Sequence, residues 1–156
     1  MPPKRIAHAL AWMAAAAVFA TPVTAAAPTI AAAVKARKAN YKEIGGAFKT
    51  INDEVKTGSP DIATIRPLAR DIANRAAGQM KWFPKGSGPE SGEKTRAKAT
   101  IWTDMAGFNR AHTGFVTAAN NLNTAIASGN AGQIAQAQKV LGNSCKTCHD
   151  RYRESD

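Results

Sequence analysis

Apolar residues recur along most of this chain in alternating steps of three and four. From about Thr29 to Thr57 the inward positions are Ile30, Val34, Arg37, Tyr41, Ile44, Phe48, Ile51 and Val55. A second run holds Ile62, Ile65, Ala69, Ile72 and Ala76. A third holds Ile101, Met105, Phe108, His112, Phe115, Ala119, Leu122 and Ile126. The last holds Ile134, Gln138, Leu141, Cys145, Cys148 and Tyr152. A repeat near 3.5 residues is the seam of packed helices, so each run predicts one helix.

Turn residues fall between the runs. In "TGSPD" (57–61) Gly58 should stop the first helix, Ser59 should cap the second and Pro60 suits its first position. "FPKGSGPESGEK" (83–94) reads as a long loop and "ASGNAG" (127–132) as a third break. Short connections make sequence neighbours antiparallel. The expected fold is therefore all-α, an antiparallel four-helix bundle. Pro67 lies inside the second helix and should bend it or delay its start.

Some positions sit uneasily in plain core seams. A charged Arg37 facing inward needs either an anion or a route to solvent for its head group. His112 also faces inward, and a hydrogen-bonded core histidine is a better reading of it than a metal ligand. Gly45 and Gly46 fall mid-helix, where each costs about 1 kcal/mol against alanine. Close approach of another helix would offset that cost.

The N-terminus follows a different pattern. Lys4 and Arg5 precede an apolar stretch from Ile6 to Ala20, and small residues follow Pro22. This is the layout of a secretory signal peptide, expected over 1–25, with cleavage after Ala25 or Ala26. The apolar stretch is short of the roughly 20 residues needed to span a bilayer. The remaining 26–156 make one domain and an exported protein without stable membrane insertion, most simply periplasmic. Losing Lys4 and Arg5 from 21 Lys+Arg, against 11 Asp+Glu, leaves a net charge of +8. The cations are scattered rather than clustered, and export argues against a nucleic-acid partner.

The only two cysteines lie in "CKTCH", 145–149. At about 100° per residue, Cys145, Cys148 and His149 share one helix face. C-x-x-C-H is the attachment signature of c-type haem. Two thioether bonds need thiols about one turn apart, and the adjacent histidine can ligate the iron. Zinc would require four ligands, and His112 is the only further histidine of the mature chain. A thioredoxin-like pair belongs near a βαβ pattern, and a disulfide between residues three apart would close almost no loop.

With the haem motif in the last helix, as "CKTCHDRYR" (145–153), the chain resembles the class II c-type cytochromes, cytochrome c′ and its low-spin relative cytochrome c-556. "VKARKANYKEIGGAF" (34–48), "WFPKGSG" (82–88) and "IWTDMAGF" (101–108) extend the likeness over nearly the whole mature chain. The resemblance implies one haem c bound covalently through Cys145 and Cys148, with His149 as the iron ligand. It implies that Arg37 faces a haem propionate, that Arg153 flanks the proximal side and that Tyr41 overlies the distal side. Low-spin members are expected to carry a ligating Met where this chain has Tyr41, so the resemblance points to a five-coordinate, high-spin haem closest to cytochrome c′. A packing role unrelated to haem is the alternative for Tyr41. Trp82, Phe83, Trp102, Phe108 and Phe115 divide between core and haem packing in a way the sequence does not resolve. Electron transfer with a redox partner protein, binding of NO or CO, and a homodimer through the first two helices complete the implied picture. No acid–base constellation suggests an enzyme.

Overall fold

The computed structural model describes residues 29–155. The expected signal segment lies outside them. Helix α1 (Ile30–Lys56) begins at Thr29, whose hydroxyl accepts from the Ala32 N–H. It ends at Thr57, after which Gly58 takes the left-handed conformation (φ 79°) that favours glycine. Helix α2 (Ile62–Gly78) is capped by Asp61 rather than Ser59: the carboxylate accepts from Ala63 N and from the Thr64 hydroxyl. Pro67 lies inside α2 without delaying its start.

A 3-10 turn, Gln79–Trp82, continues directly from α2. The long loop comes next, with a single 3-10 turn at Pro89–Ser91. The third periodic run is then split. A one-turn helix, α3 (Thr100–Thr103), stops at Asp104, and α4 (Met105–Ser128) starts afresh there. The Asp104 carboxylate accepts from Gly107 N, a cap that the three-and-four pattern runs straight through. Met105 is consequently 37% exposed rather than in the core. Gly129 (φ 71°) ends α4, and Asn130 caps α5 (Ala131–Tyr152) by accepting from Gln133 N.

The four long helices form the expected bundle. Helix α1 packs on α2 and α5, and α4 packs on α2 and α5. Ile51, Ile65, Ile72, Leu122, Ile126, Ile134 and Leu141 are virtually inaccessible to solvent and make the main core. Each such side chain contributes about 1.5–3 kcal/mol by leaving water. A second cluster, Phe83, Ala97, Ile101, Phe108 and Tyr152, lies around the long loop.

The pairing of α1 with α5 brings the Arg37–Tyr41 stretch and the C-x-x-C-H motif to one end of the bundle. Asn52 accepts from the Gln138 amide at 3.0 Å. One turn along, Gly142 lies against the Phe48 ring, so closely that a Cβ there would sit 3.2 Å from Phe48 Cζ. As the numbers fall along α1 they rise along α5, which makes the two helices antiparallel. Gly45 and Gly46 are exposed, and no atom lies within 4 Å of a Cβ built on either. Among the described residues, no other helix makes the close approach expected at these glycines.

Candidate haem site

Beyond the Phe48–Gly142 contact, α1 and α5 bound a cavity of about 660 Å³. That size falls within the roughly 300–1,000 Å³ of ligand pockets. Arg37, Tyr41, Cys145, Cys148, His149 and Arg153 all line it. Phe83, Phe108 and Phe115 line it too, whereas Trp82 and Trp102 do not. The Trp102 indole N–H instead donates to the carbonyls of Phe83 and Pro84, fixing the loop. His112 is also absent from the lining. Its Nε2 lies 3.0 Å from the Ala76 carbonyl, as suits a hydrogen-bonded core histidine.

The end of α5 is held firmly. Ala97 and Arg153 form an antiparallel bridge, with Lys98 N donating to Tyr152 O and Glu154 N to Arg96 O. The Tyr152 hydroxyl donates to Asp104 Oδ2 at 2.9 Å, and the Arg151 guanidinium meets the same oxygen at 2.6 Å. The Tyr152 hydroxyl, the Gly107 N–H and Arg151 together hold the Asp104 carboxyl below its usual range. This clamp fixes the helix turn that carries Cys148 and His149.

Burial pushes both thiols up, Cys148 to about 11 with a further contribution from Cys145. The two sulfurs lie on one wall of the cavity. Burial lowers the pKa of His149, the neighbouring Arg96 adds to the effect and Asp150 opposes it, so the imidazole is neutral at pH 7. The Arg153 guanidinium lies 3.3 Å from His149 Nδ1. Among the described residues, no group of three or more His, Cys, Asp or Glu comes together to hold a metal ion, so the zinc reading finds no ligand set.

Arg37 is 3% exposed. Its guanidinium donates to Ser87 O at 2.9 Å, Ser87 Oγ at 3.1 Å, Thr95 Oγ1 at 2.7 Å and Trp82 O at 3.4 Å, and its Cζ lies 4.7 Å from the centre of the Phe83 ring. Every one of these partners is neutral. The cavity is lined by Arg37, Lys38, Lys42, Lys94, Arg96 and Arg153, and by no Asp or Glu among the described residues. An apolar chamber with cations and no anion suits a flat apolar ligand bearing carboxylates. Ser87 and Thr95 escaped sequence reasoning because their role depends on contacts across 50 residues or more. Gln79, on the cavity wall and hydrogen-bonded to the Tyr41 hydroxyl, escaped it as well.

A four-helix bundle with a C-x-x-C-H motif on its last helix, opening on such a chamber, defines a class II c-type cytochrome. The sequence model of the family described as Cytochrome C′ matches residues 32–153, and the chain belongs to that family. Cytochrome c′ of Rubrivivax gelatinosus is 39% identical over 69 residues, 44% of this chain and 54% of that protein. Cytochrome c′ of Pararhodospirillum photometricum is 32% identical over 121 residues, 78% of this chain and 95% of the relative. A cytochrome c-556 from Agrobacterium tumefaciens is 31% identical, over 77% of this chain and 95% of its own length. Two solved structures are similar throughout. One is a cytochrome c′ with ligand-controlled dimer dissociation, at a TM-score of 0.78, 27% identity, and 83% and 100% of the two chains covered. The other is a ferrous variant of cytochrome c prime from Alcaligenes xylosoxidans with bound NO, at a TM-score of 0.73, 26% identity, and 81% and 97% covered. The family's cofactor is a covalently attached haem c, and the chain supplies the two cysteines for it.

Proposed function

We propose that this chain is an exported, periplasmic monohaem cytochrome c′ that carries an electron, binds a small neutral gas, or does both. When bound, haem c would supply a redox-active iron able to take a small neutral ligand. Cys145 and Cys148 would attach it and His149 would ligate its iron. Arg37 meets a propionate, which provides the charge that its neutral partners lack. Tyr41 lines the same cavity from α1, and burial raises its phenol well above the ordinary value, so the hydroxyl stays protonated and is a poor ligand. The observation that carries this reading is that the motif on α5 and the Arg37–Tyr41 pair on α1 meet in one chamber. The role is that of a carrier and binder rather than an enzyme.

Among the described residues, no helix is long and apolar enough to cross a membrane. A redox partner protein would meet the basic rim at Lys38, Lys42 and Lys94, and that favours an acidic partner surface. A homodimer would form through α1 and α2. Electron paramagnetic resonance of the ferric protein tests the coordination: a high-spin signal is expected. A purely low-spin signal would overturn the five-coordinate assignment in favour of the cytochrome c-556 type.

A further inference from the structure

Gln79 is a buried polar residue on the cavity wall, and neither attachment nor ligation of the haem uses it. It is 3% exposed. Its Nε2 donates to the Tyr41 hydroxyl, while its Oε1 is buried without a hydrogen-bond partner among the described residues. Such an atom is costly, and in native proteins it calls for a reason. A leucine would fill the same space without that cost. Gripping the Tyr41 phenol is the one thing the amide does that a leucine could not.

The backbone beneath the amide is fixed. Gln79 opens the 3-10 turn, and its N–H donates to Ala76 O, the carbonyl that His112 Nε2 also meets. The same short segment supplies Trp82 and Phe83, whose rings stand edge-on to Tyr41 at 5.4 and 6.3 Å between centroids. The Tyr41 ring therefore sits in an aromatic box, and its hydroxyl is tied to one amide.

We propose that Gln79 is the latch of Tyr41. Its amide holds the phenol across the ligand side of the cavity, and admitting a small gas requires that one hydrogen bond to break. When the phenol leaves, the Nε2 end of the Gln79 amide loses its partner, so the closed arrangement is favoured by that one bond. Gln79 is a positioning residue, acting on the incoming ligand through Tyr41. The inference rests on the reading of Tyr41 as the guard of that side.

Carbon monoxide association with the ferrous holoprotein tests it in the wild type, Gln79→Leu, Tyr41→Phe, the double variant and Tyr41→Ala. Gln79→Leu and Tyr41→Phe should each speed association about three- to tenfold, the equivalent of one net hydrogen bond. The double variant should be no faster than either single one, because both remove the same bond. Ultraviolet resonance Raman bands of Tyr41, isolated by subtracting the Tyr41→Phe spectrum, should report loss of the bond in Gln79→Leu. Multiplying rates in the double variant, or a wild-type rate in Gln79→Leu alongside a faster Tyr41→Phe, would overturn the latch and leave the guard intact. An unchanged rate in Tyr41→Ala would overturn the guard and the latch with it. Gln79→Met, closer in length, repeats the measurement should leucine disturb the turn.

Discussion

Replacing Arg37 by Met keeps the length of the side chain and removes its charge and its donors. The groups left behind are known from the structure. Ser87 Oγ still donates to Pro84 O, and Thr95 Oγ1 still accepts from Ala97 N. The Ser87 carbonyl, on a residue with no solvent exposure, loses the guanidinium that served it. An orphaned buried acceptor costs about 1–3 kcal/mol. The lost contact with the Phe83 ring adds about 1 kcal/mol. Relief from burying a charge offsets part of this. The expected net loss is about 1–3 kcal/mol, measured by urea unfolding of the holoprotein followed by far-ultraviolet circular dichroism. Removing a cation beside a propionate also disfavours the reduced state, so the midpoint potential should fall. Arg37→Lys should keep most of the potential but not the stability, because an ammonium cannot bridge Ser87 O and Thr95 Oγ1 together. Stability within about 0.5 kcal/mol of wild type, with an unchanged potential in Arg37→Met, would refute both the loop-bracing and the propionate arguments.

The remaining expectations concern the attachment, the clamp, the phenol and the rim. Single Cys145→Ser or Cys148→Ser variants should keep haem through one thioether in acid acetone, and the double variant should release it; retention in the double variant would contradict attachment at these thiols. Gly107→Ala would drive a Cβ into the Asp104 carboxylate and the Tyr152 hydroxyl, so thermal unfolding should show a loss of about 1–3 kcal/mol. Burial raises the Tyr41 pKa above its unfolded value of about 10. Its contribution to stability is therefore complete below about pH 10 and is lost as pH rises further, and Tyr41→Phe should flatten that part of the stability–pH profile. Electron transfer with an acidic redox protein should slow as salt rises, and a salt-independent rate would argue against docking at the lysine rim.

Legibility in the sequence tracked the range of the interactions. The seams of α1, α2 and α5 were readable because a helix announces its buried face every three or four residues, and Ile51, Ile72 and Leu141 are buried as that spacing requires. The motif at 145–149 was readable for the same reason. The break at Asp104 was not, because the apolar spacing continues through it and only the cap to Gly107 reveals it. At the second helix Asp61 competed with Ser59 for the cap and won, with its carboxylate reaching both Ala63 N and Thr64 Oγ1. Arg37 was recognisable as out of place, but its partners Ser87 and Thr95 lie in a loop whose path no local pattern encodes. Gln79 continues the three-and-four spacing of the second run beyond Ala76, but it is polar, and its partner Tyr41 lies 38 residues away, so the apolar pattern passes over it.

Two facing walls of the chamber come from opposite ends of the described chain. Arg37 and Tyr41 stand near its beginning, and Cys148, His149 and Arg153 near its end. More than a hundred residues must be closed into a loop before these groups meet, and closure over that distance carries a large entropic cost and slows folding. Completion of the chamber depends on the final few residues, where Arg153 and Glu154 zip onto Arg96 and Ala97. A chain shortened by four residues would keep every cysteine and histidine of the motif. It would still lack the seam that draws the last helix turn into place, and should mature poorly although its chemistry is intact.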